Sequence, residues 1–230
     1  MELRSIGIIP DGNRRYARKA GLSLAQAYGR GARKAEEVLN WTLDEGRIRC
    51  STFYALSTEN FLNRSALEKA VLFRLLDRYF RKVPTDRRVR EHGIRLKVIG
   101  RTELLPAKLR ATIRKAEEFT DKYDNYQLNL AICYGGRQEL VDAVNKLAAH
   151  YAREQQPLTE ADVEGALYAN YPAPDLVIRT GGVQRLSGFL TWETAYSELY
   201  FSDKLWPEFS KPDFNTAIEF YDSTERRFGR

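Results

Sequence analysis

Short β-branched or apolar runs recur along this chain between longer segments of helical period, and that alternation restricts the fold more than any other feature. The runs at Ser5 to Ile9, Ile48 to Ala55, Ile94 to Ile99, Gln127 to Cys133, Asp175 to Ile178 and Glu198 to Phe201 are predicted as strands. Leu24 to Glu45, Ala66 to His92, Pro106 to Tyr123, Gln138 to Glu154 and Glu160 to Tyr168 carry apolar residues at three- and four-residue intervals and are predicted as helices. Parallel strands need long crossovers, and a helix is the usual one, so the expected class is α/β: a central, mainly parallel sheet flanked by helices. The breaks at Pro157 to Thr159 and Tyr171 to Pro174 are too short to separate domains, so residues 1–230 are expected to form a single domain. Cys50 and Cys133 lie within apolar strand-like runs and are expected to be buried free thiols.

No stretch approaches the ~20 apolar residues of a membrane-spanning helix. Met1 to Arg4 leads into a strand, not a signal peptide, so a cytoplasmic protein with at most peripheral membrane contact is expected. A formal charge of +6 favours an anionic partner: nucleic acid, an anionic membrane surface or a phosphorylated small molecule. Nucleic-acid binding calls for basic and aromatic residues alternating along one surface, whereas the aromatics here mostly fall at core-like spacing, so no nucleic acid is expected. The familiar phosphate loops are missing, since Gly29-Arg30-Gly31 lacks the third glycine of the dinucleotide fingerprint and no Gly-x₄-Gly-Lys-Ser/Thr occurs. His92 and His150 belong to no cluster with transition-metal spacing and are expected to be structural.

In parallel sheets, ligands bind beyond the carboxyl ends of the strands, where helix starts attract anions. Three strand-end loops fit that place. Ile9-Pro10-Asp11-Gly12-Asn13-Arg14-Arg15-Tyr16-Ala17 brings Arg14, Arg15 and Arg18 to a helix start suited to a diphosphate, with Asp11 among them as a carboxylate for Mg²⁺. Tyr54-Ala55-Leu56-Ser57-Thr58-Glu59-Asn60-Phe61, followed by Arg64, supplies hydroxyls, an amide and a guanidinium. Arg179-Thr180-Gly181-Gly182-Val183-Gln184-Arg185-Leu186-Ser187 sets two arginines around a Gly-Gly turn, able to close on one diphosphate, and Glu198 follows as a second candidate Mg²⁺ carboxylate.

Together with Tyr134-Gly135-Gly136-Arg137, Ala195 to Phe201 and Arg226-Arg227-Phe228-Gly229, these loops resemble the cis-prenyltransferases, the family of undecaprenyl and dehydrodolichyl diphosphate synthases. The resemblance runs over nearly the whole chain. It implies a homodimer whose apolar tunnel, between sheet and helices, takes a growing prenyl tail. It implies a Mg²⁺-dependent condensation of an allylic prenyl diphosphate with isopentenyl diphosphate, a head-to-tail Z-elongation giving a short or medium product. Asp11 would be catalytic and hold the metal with Glu198. Gly12, Asn13, Arg14 and Arg15 would cradle the allylic diphosphate, with Tyr16, Tyr28, Ser57, Thr58, Glu59 and Phe61 also on the allylic substrate. Arg64, Arg179, Arg185 and Ser187 would bind the second diphosphate, and Asn60 with Ser57 would relay the proton. Leu67, Val71, Leu72, Leu75, Leu76 and Tyr79 offer a candidate tunnel wall.

The chain also departs from the pattern. Leu24 and Tyr28 stand where polymerising members carry an Arg and a His, Val183 replaces a Glu, and Arg14 replaces a frequent glycine. Similar substitutions occur in lavandulyl-type members, where dimethylallyl diphosphate is the acceptor in a non-head-to-tail condensation, so that reaction stays open. A catalytically silent partner subunit is the non-enzyme alternative.

Overall fold

A computed structural model describes residues 2–154, 157–168 and 171–225, with the backbone alone for 149–154. Among these, six strands form one sheet: β1 Ser5–Ile9, β2 Cys50–Ser57, β3 Ile94–Ile99, β4 Tyr126–Tyr134, β5 Leu176–Arg179 and β6 Glu198–Phe201. The order is β3-β4-β2-β1-β5-β6, and every neighbouring pair is parallel. The expected α/β class is therefore present. Strands β1 and β5 are buried along their whole length, as central strands covered on both faces must be, which is why apolar residues dominate both.

The strand order locates the site. From β1 the chain moves to β2 on one side, and much later β5 returns to pair with β1 on the other, with Ile9 beside Arg179. A crevice opens at the carboxyl ends where the strand order reverses in this way.

Helices α1 Asn13–Lys19, α2 Leu24–Asp44, α3 Thr58–Asn63, α4 Ala66–Lys82, α5 Arg87–Glu91, α6 Ala107–Thr120, α7 Gly136–Glu154 and α8 Glu160–Ala166 lie in the crossovers, and α9 Lys211–Ser223 follows β6. Capping boxes start α2 (Ser23 with Gln26), α4 (Ser65 with Glu68), α8 (Thr159 with Asp162) and α9 (Ser210 with Asp213), each satisfying two otherwise orphaned donors. Ile6, Ile8, Leu176 and Ile178 pack with Trp206, Phe209 and Phe214, while Ile9, Tyr54, Val177 and Phe189 form a second cluster. A third cluster joins Phe80, Ile113, Leu96 and Ile132.

Two expectations change. The predicted helix Ala66 to His92 is broken: α4 ends at Lys82, a 3₁₀ turn spans Val83–Thr85, and α5 starts afresh with the Asp86 side chain accepting from the Arg88 N–H at 3.0 Å. Pro84 causes the break, because it lacks the N–H that a continuing helix needs. Helix α9 was not predicted. Cys50 and Cys133 are buried free thiols, as expected.

Candidate active site

The loop after β1 is shaped by what backs it. Gly12 adopts φ +115°, and a Cβ there would meet the Leu205 backbone at 3.0 Å, so glycine alone fits comfortably. The Asp11 carbonyl accepts from the Thr180 hydroxyl at 2.8 Å and from the Trp206 N–H at 3.0 Å, tying this loop to the two segments beside it. Its carboxylate then faces Arg179: Nη2 donates to Asp11 Oδ2 at 2.9 Å, and Arg15 Nη2 lies 3.3 Å from Oδ1. Arg15 also donates to the Gly181 carbonyl at 2.6 Å, so the first and third loops are stitched together. Arg179 is 4% exposed, donates to Ser187 Oγ at 2.8 Å and to the Arg185 carbonyl, and keeps a buried Nε with no acceptor. The acid near the start of the chain and the bases near residue 180 thus converge.

The second loop begins with Ser57, whose Oγ caps α3 by accepting from the Asn60 N–H at 3.0 Å and whose side chain also hydrogen-bonds that of Tyr54. Arg64 follows, its guanidinium 5.4 Å from the Tyr28 ring centroid. Its Nε and Nη1 are buried without an acceptor, and burial lowers its pKa from the ordinary value. A desolvated guanidinium with free donors is a costly feature unless an anion completes it.

Tyr28, 5% exposed, donates its hydroxyl to Glu68 Oε1 at 3.3 Å, and Arg14 Nη2 stands 3.2 Å from the same carboxylate. Arg14 therefore brings a guanidinium from α1 to the same carboxylate that the Tyr28 hydroxyl meets. Sequence reasoning missed Glu68, because as the third residue of a capping box it reads as a surface helix start. It also missed Trp206, which holds the Asp11 carbonyl and whose indole donates to the Gly31 carbonyl at 2.8 Å.

Behind these loops lies a cavity of about 730 Å³. At its mouth are Arg14, Arg15, Arg18, Arg64, Arg179 and Arg185, with Asp11 and Glu59 as the acids. Gly12, Asn13, Tyr28, Ser57, Asn60 and Ser187 complete the mouth. Deeper, the lining turns apolar, with Leu72, Leu75, Leu76 and Tyr79 from α4 facing Leu128 and Leu130 of β4. Leu67, expected in this wall, is 73% exposed on the outside of α4, and Val71 does not line the cavity.

Several expected residues stand apart. Tyr16 accepts from Arg30 on the outer side of α1, Thr58 donates to the Cys133 carbonyl at 2.9 Å, and Phe61 packs on Phe73 with centroids 6.3 Å apart; none of the three lines the cavity. Glu198 opens β6 in register with Leu176, the first residue of β5, whereas Arg179 is the last. That puts it about 10 Å along the strand from Arg179, at the opposite end of the sheet from Asp11. The Arg226 to Gly229 motif lies outside the described residues, as does the His150 side chain.

A buried acid pair backs the third loop. Glu139 is 1% exposed, accepts from Tyr134 Oη and from the Tyr168 N–H at 3.0 Å, and is pushed up to about 7 by burial and by the charge of Glu193. Tyr134 in turn meets Tyr54 edge-on at 5.8 Å, and the Tyr54 hydroxyl donates to the Tyr134 and Ser187 carbonyls at 3.2 and 3.4 Å.

A family described as "Putative undecaprenyl diphosphate synthase" matches residues 9–229. A tritrans,polycis-undecaprenyl-diphosphate synthase (geranylgeranyl-diphosphate specific) of Thermoplasma acidophilum is 50% identical, over 99% of this chain and 89% of the relative. The enzyme of the same name from Pyrococcus horikoshii is 47% identical, over 99% of this chain and 87% of its own. The crystal structure of lavandulyl diphosphate synthase from Lavandula x intermedia, in complex with dimethylallyl diphosphate, superposes with a TM-score of 0.91 at 32% identity, covering 99% of this chain and 98% of that one. With the sheet, the arginine-lined mouth and these relatives in agreement, the chain belongs to the undecaprenyl diphosphate synthase family of prenyltransferases.

Proposed function

We propose that this enzyme extends geranylgeranyl diphosphate by successive head-to-tail additions of isopentenyl diphosphate, each forming a Z double bond. The observation that carries this reading is the pairing of a cationic mouth, with unsatisfied buried donors on Arg64 and Arg179, and an apolar cavity directly behind it. Diphosphates match the first, and a prenyl tail matches the second.

Arg64, expected on the second diphosphate, stands instead beside Tyr28 and Arg14, so its orphaned N–H groups are assigned here to the allylic diphosphate, and Arg14 and Arg15 add charge on the same side. Arg179, Arg185 and Ser187 hold the second diphosphate. Fixed cations already in place as the allylic diphosphate departs lower the barrier without reorganising. The apolar wall keeps water from the carbocation. Ser57 and Asn60 line the mouth, where their oxygens can accept the proton lost after bond formation in a hydrogen bond and pass it to an oxygen of the departing diphosphate, which takes it up.

Asp11 fits Mg²⁺, a hard cation that typically takes one or two carboxylates and keeps its remaining positions for water and phosphate oxygens. When bound, the ion supplies neutralising charge to the diphosphate oxygens. Within one chain Glu198 stands too far from Asp11 to share that ion.

The seat taken by Arg14 favours ordinary elongation over the irregular reaction, because it supplies a basic charge from α1 beside Tyr28. A homodimer and a cytoplasmic location belong to the same proposal. Among the described residues no helix is long and apolar enough to cross a membrane, and Val141 and Val144, exposed together on α7, offer a surface for a second copy.

The test is incubation of the purified protein with Mg²⁺ and geranylgeranyl, isopentenyl and dimethylallyl diphosphates, followed by product analysis. Linear Z-polyprenyl diphosphates are expected. A branched product would establish the irregular condensation instead, and no release of diphosphate at all would sink both.

A further inference from the structure

The cavity runs from the carboxyl ends of the strands, at Ser57 and Arg179, to their amino ends, at Ile94 and Leu128. Its far end is not wholly apolar. Glu36 of α2, Tyr79 and Lys82 of α4, and Asp86, Arg88 and Val89 around α5 line it. Arg88 is the hub: Nε donates to Asp86 Oδ1 at 3.0 Å, Nη1 to Asn40 Oδ1 at 3.1 Å and Nη2 to Glu36 Oε1 at 3.3 Å. One side chain thereby straps the five-residue α5, already set off from α4 by Pro84, to α2.

Size makes this closure consequential. At the ~30 Å³ a water-sized group occupies, about 730 Å³ has room for roughly two dozen carbons. A geranylgeranyl tail fits. An undecaprenyl tail, the product in the names of the relatives above, is about three times as long and does not. Resting on the elongation reading, we propose that the Arg88–Glu36–Asp86 network is the length-setting closure of the tail cavity, which the growing end must displace to pass between α2 and α5.

The chemistry suits such a stop. Hydrocarbon cannot solvate charged groups, so an advancing tail meets a penalty there that it meets nowhere along the apolar wall. The Arg88, Asp86 and Glu36 side chains keep 26%, 26% and 35% of their surface in water, so the strap can swing outward without being dehydrated, and half-exposed ion pairs hold weakly.

The experiment gives wild type, Arg88→Ala, Glu36→Gln and Arg88→Trp the same geranylgeranyl and excess labelled isopentenyl diphosphate. It reads both the rate of the first condensation and the final chain lengths by mass spectrometry, with melting curves to verify folding. Arg88→Ala and Glu36→Gln are expected to lengthen the products by about two or more isoprene units, and Arg88→Trp to shorten them, with first-condensation rates within about threefold of wild type. Wild-type lengths in all three folded variants would overturn the proposal. So would loss of the first condensation in folded Arg88→Ala, which would put Arg88 in the chemistry. If wild type itself transfers nothing, the elongation reading falls first and this one with it.

Discussion

Asp11 and Arg179 meet at the carboxyl ends of adjacent strands β1 and β5, Oδ2 to Nη2 at 2.9 Å, one half open to the mouth and the other almost wholly buried. Asp11→Asn keeps an acceptor for Arg179 but removes the charge that suits a metal. The expected result is a fall in kcat of about 10²–10³-fold, the size seen when one group stabilising transition-state charge is lost, with little change in melting temperature. An unfolded variant, or an active one, would show that the pair is structural.

Arg64 carries two buried donors without acceptors. Arg64→Met removes a desolvated charge, and leaving such groups unsatisfied costs about 1–3 kcal/mol, so the variant is expected to be more stable in urea by a similar amount while its KM for the allylic diphosphate rises at least about tenfold. Added inorganic diphosphate should raise the melting temperature of wild type more than that of the variant.

Glu139, held near 7 when folded, keeps its proton over a range in which the unfolded chain has lost it. The native state then binds more protons, so this group makes stability fall as pH rises from about 4.5 to about 7. At about 1.4 kcal/mol per pKa unit the loss comes to about 3.5 kcal/mol. Glu139→Gln mimics the protonated acid, with its carbonyl free for the Tyr168 N–H and its amide for Tyr134, and is expected to flatten that decline in melts across pH. An unaltered pH profile would refute the assignment.

Gly31 leaves room for a site residue. A Cβ there would stand 2.2 Å from Asn13 Oδ1 and 3.2 Å from Trp206. Gly31→Ala should gain up to about 1 kcal/mol of helix propensity yet lose more to overpacking, for a net loss of about 1–2 kcal/mol in denaturant melts and a raised KM for the allylic substrate.

Much of this is legible in the amino-acid sequence. Ser5–Ile9, Ile94–Ile99 and Glu198–Phe201 are strands with the predicted limits, because short parallel strands bounded by loops leave little freedom in where the apolar run begins. The three loops were found because their residue types are unusual at strand ends. Glu68 was hidden because its burial depends on Tyr28 and Arg14, which arrive from two other helices. Glu198 follows the third loop in sequence, but a parallel strand restarts from the amino end of the sheet, which carries it away from Asp11 within one chain. Helix α9 has a regular stripe in Phe214, Ala217, Ile218 and Tyr221, but the aromatic stretch just before it obscured where the period begins, and the Ser210–Asp213 box was the overlooked signal.

The register that sets Ile9 beside Arg179 also governs when activity can first exist. Translation must deliver most of the polypeptide before the opening strand finds its second neighbour, and such distant pairings form late. A nascent or prematurely terminated copy therefore possesses the acid without its guanidinium counterpart, and is unable to ionise prenyl diphosphates wastefully.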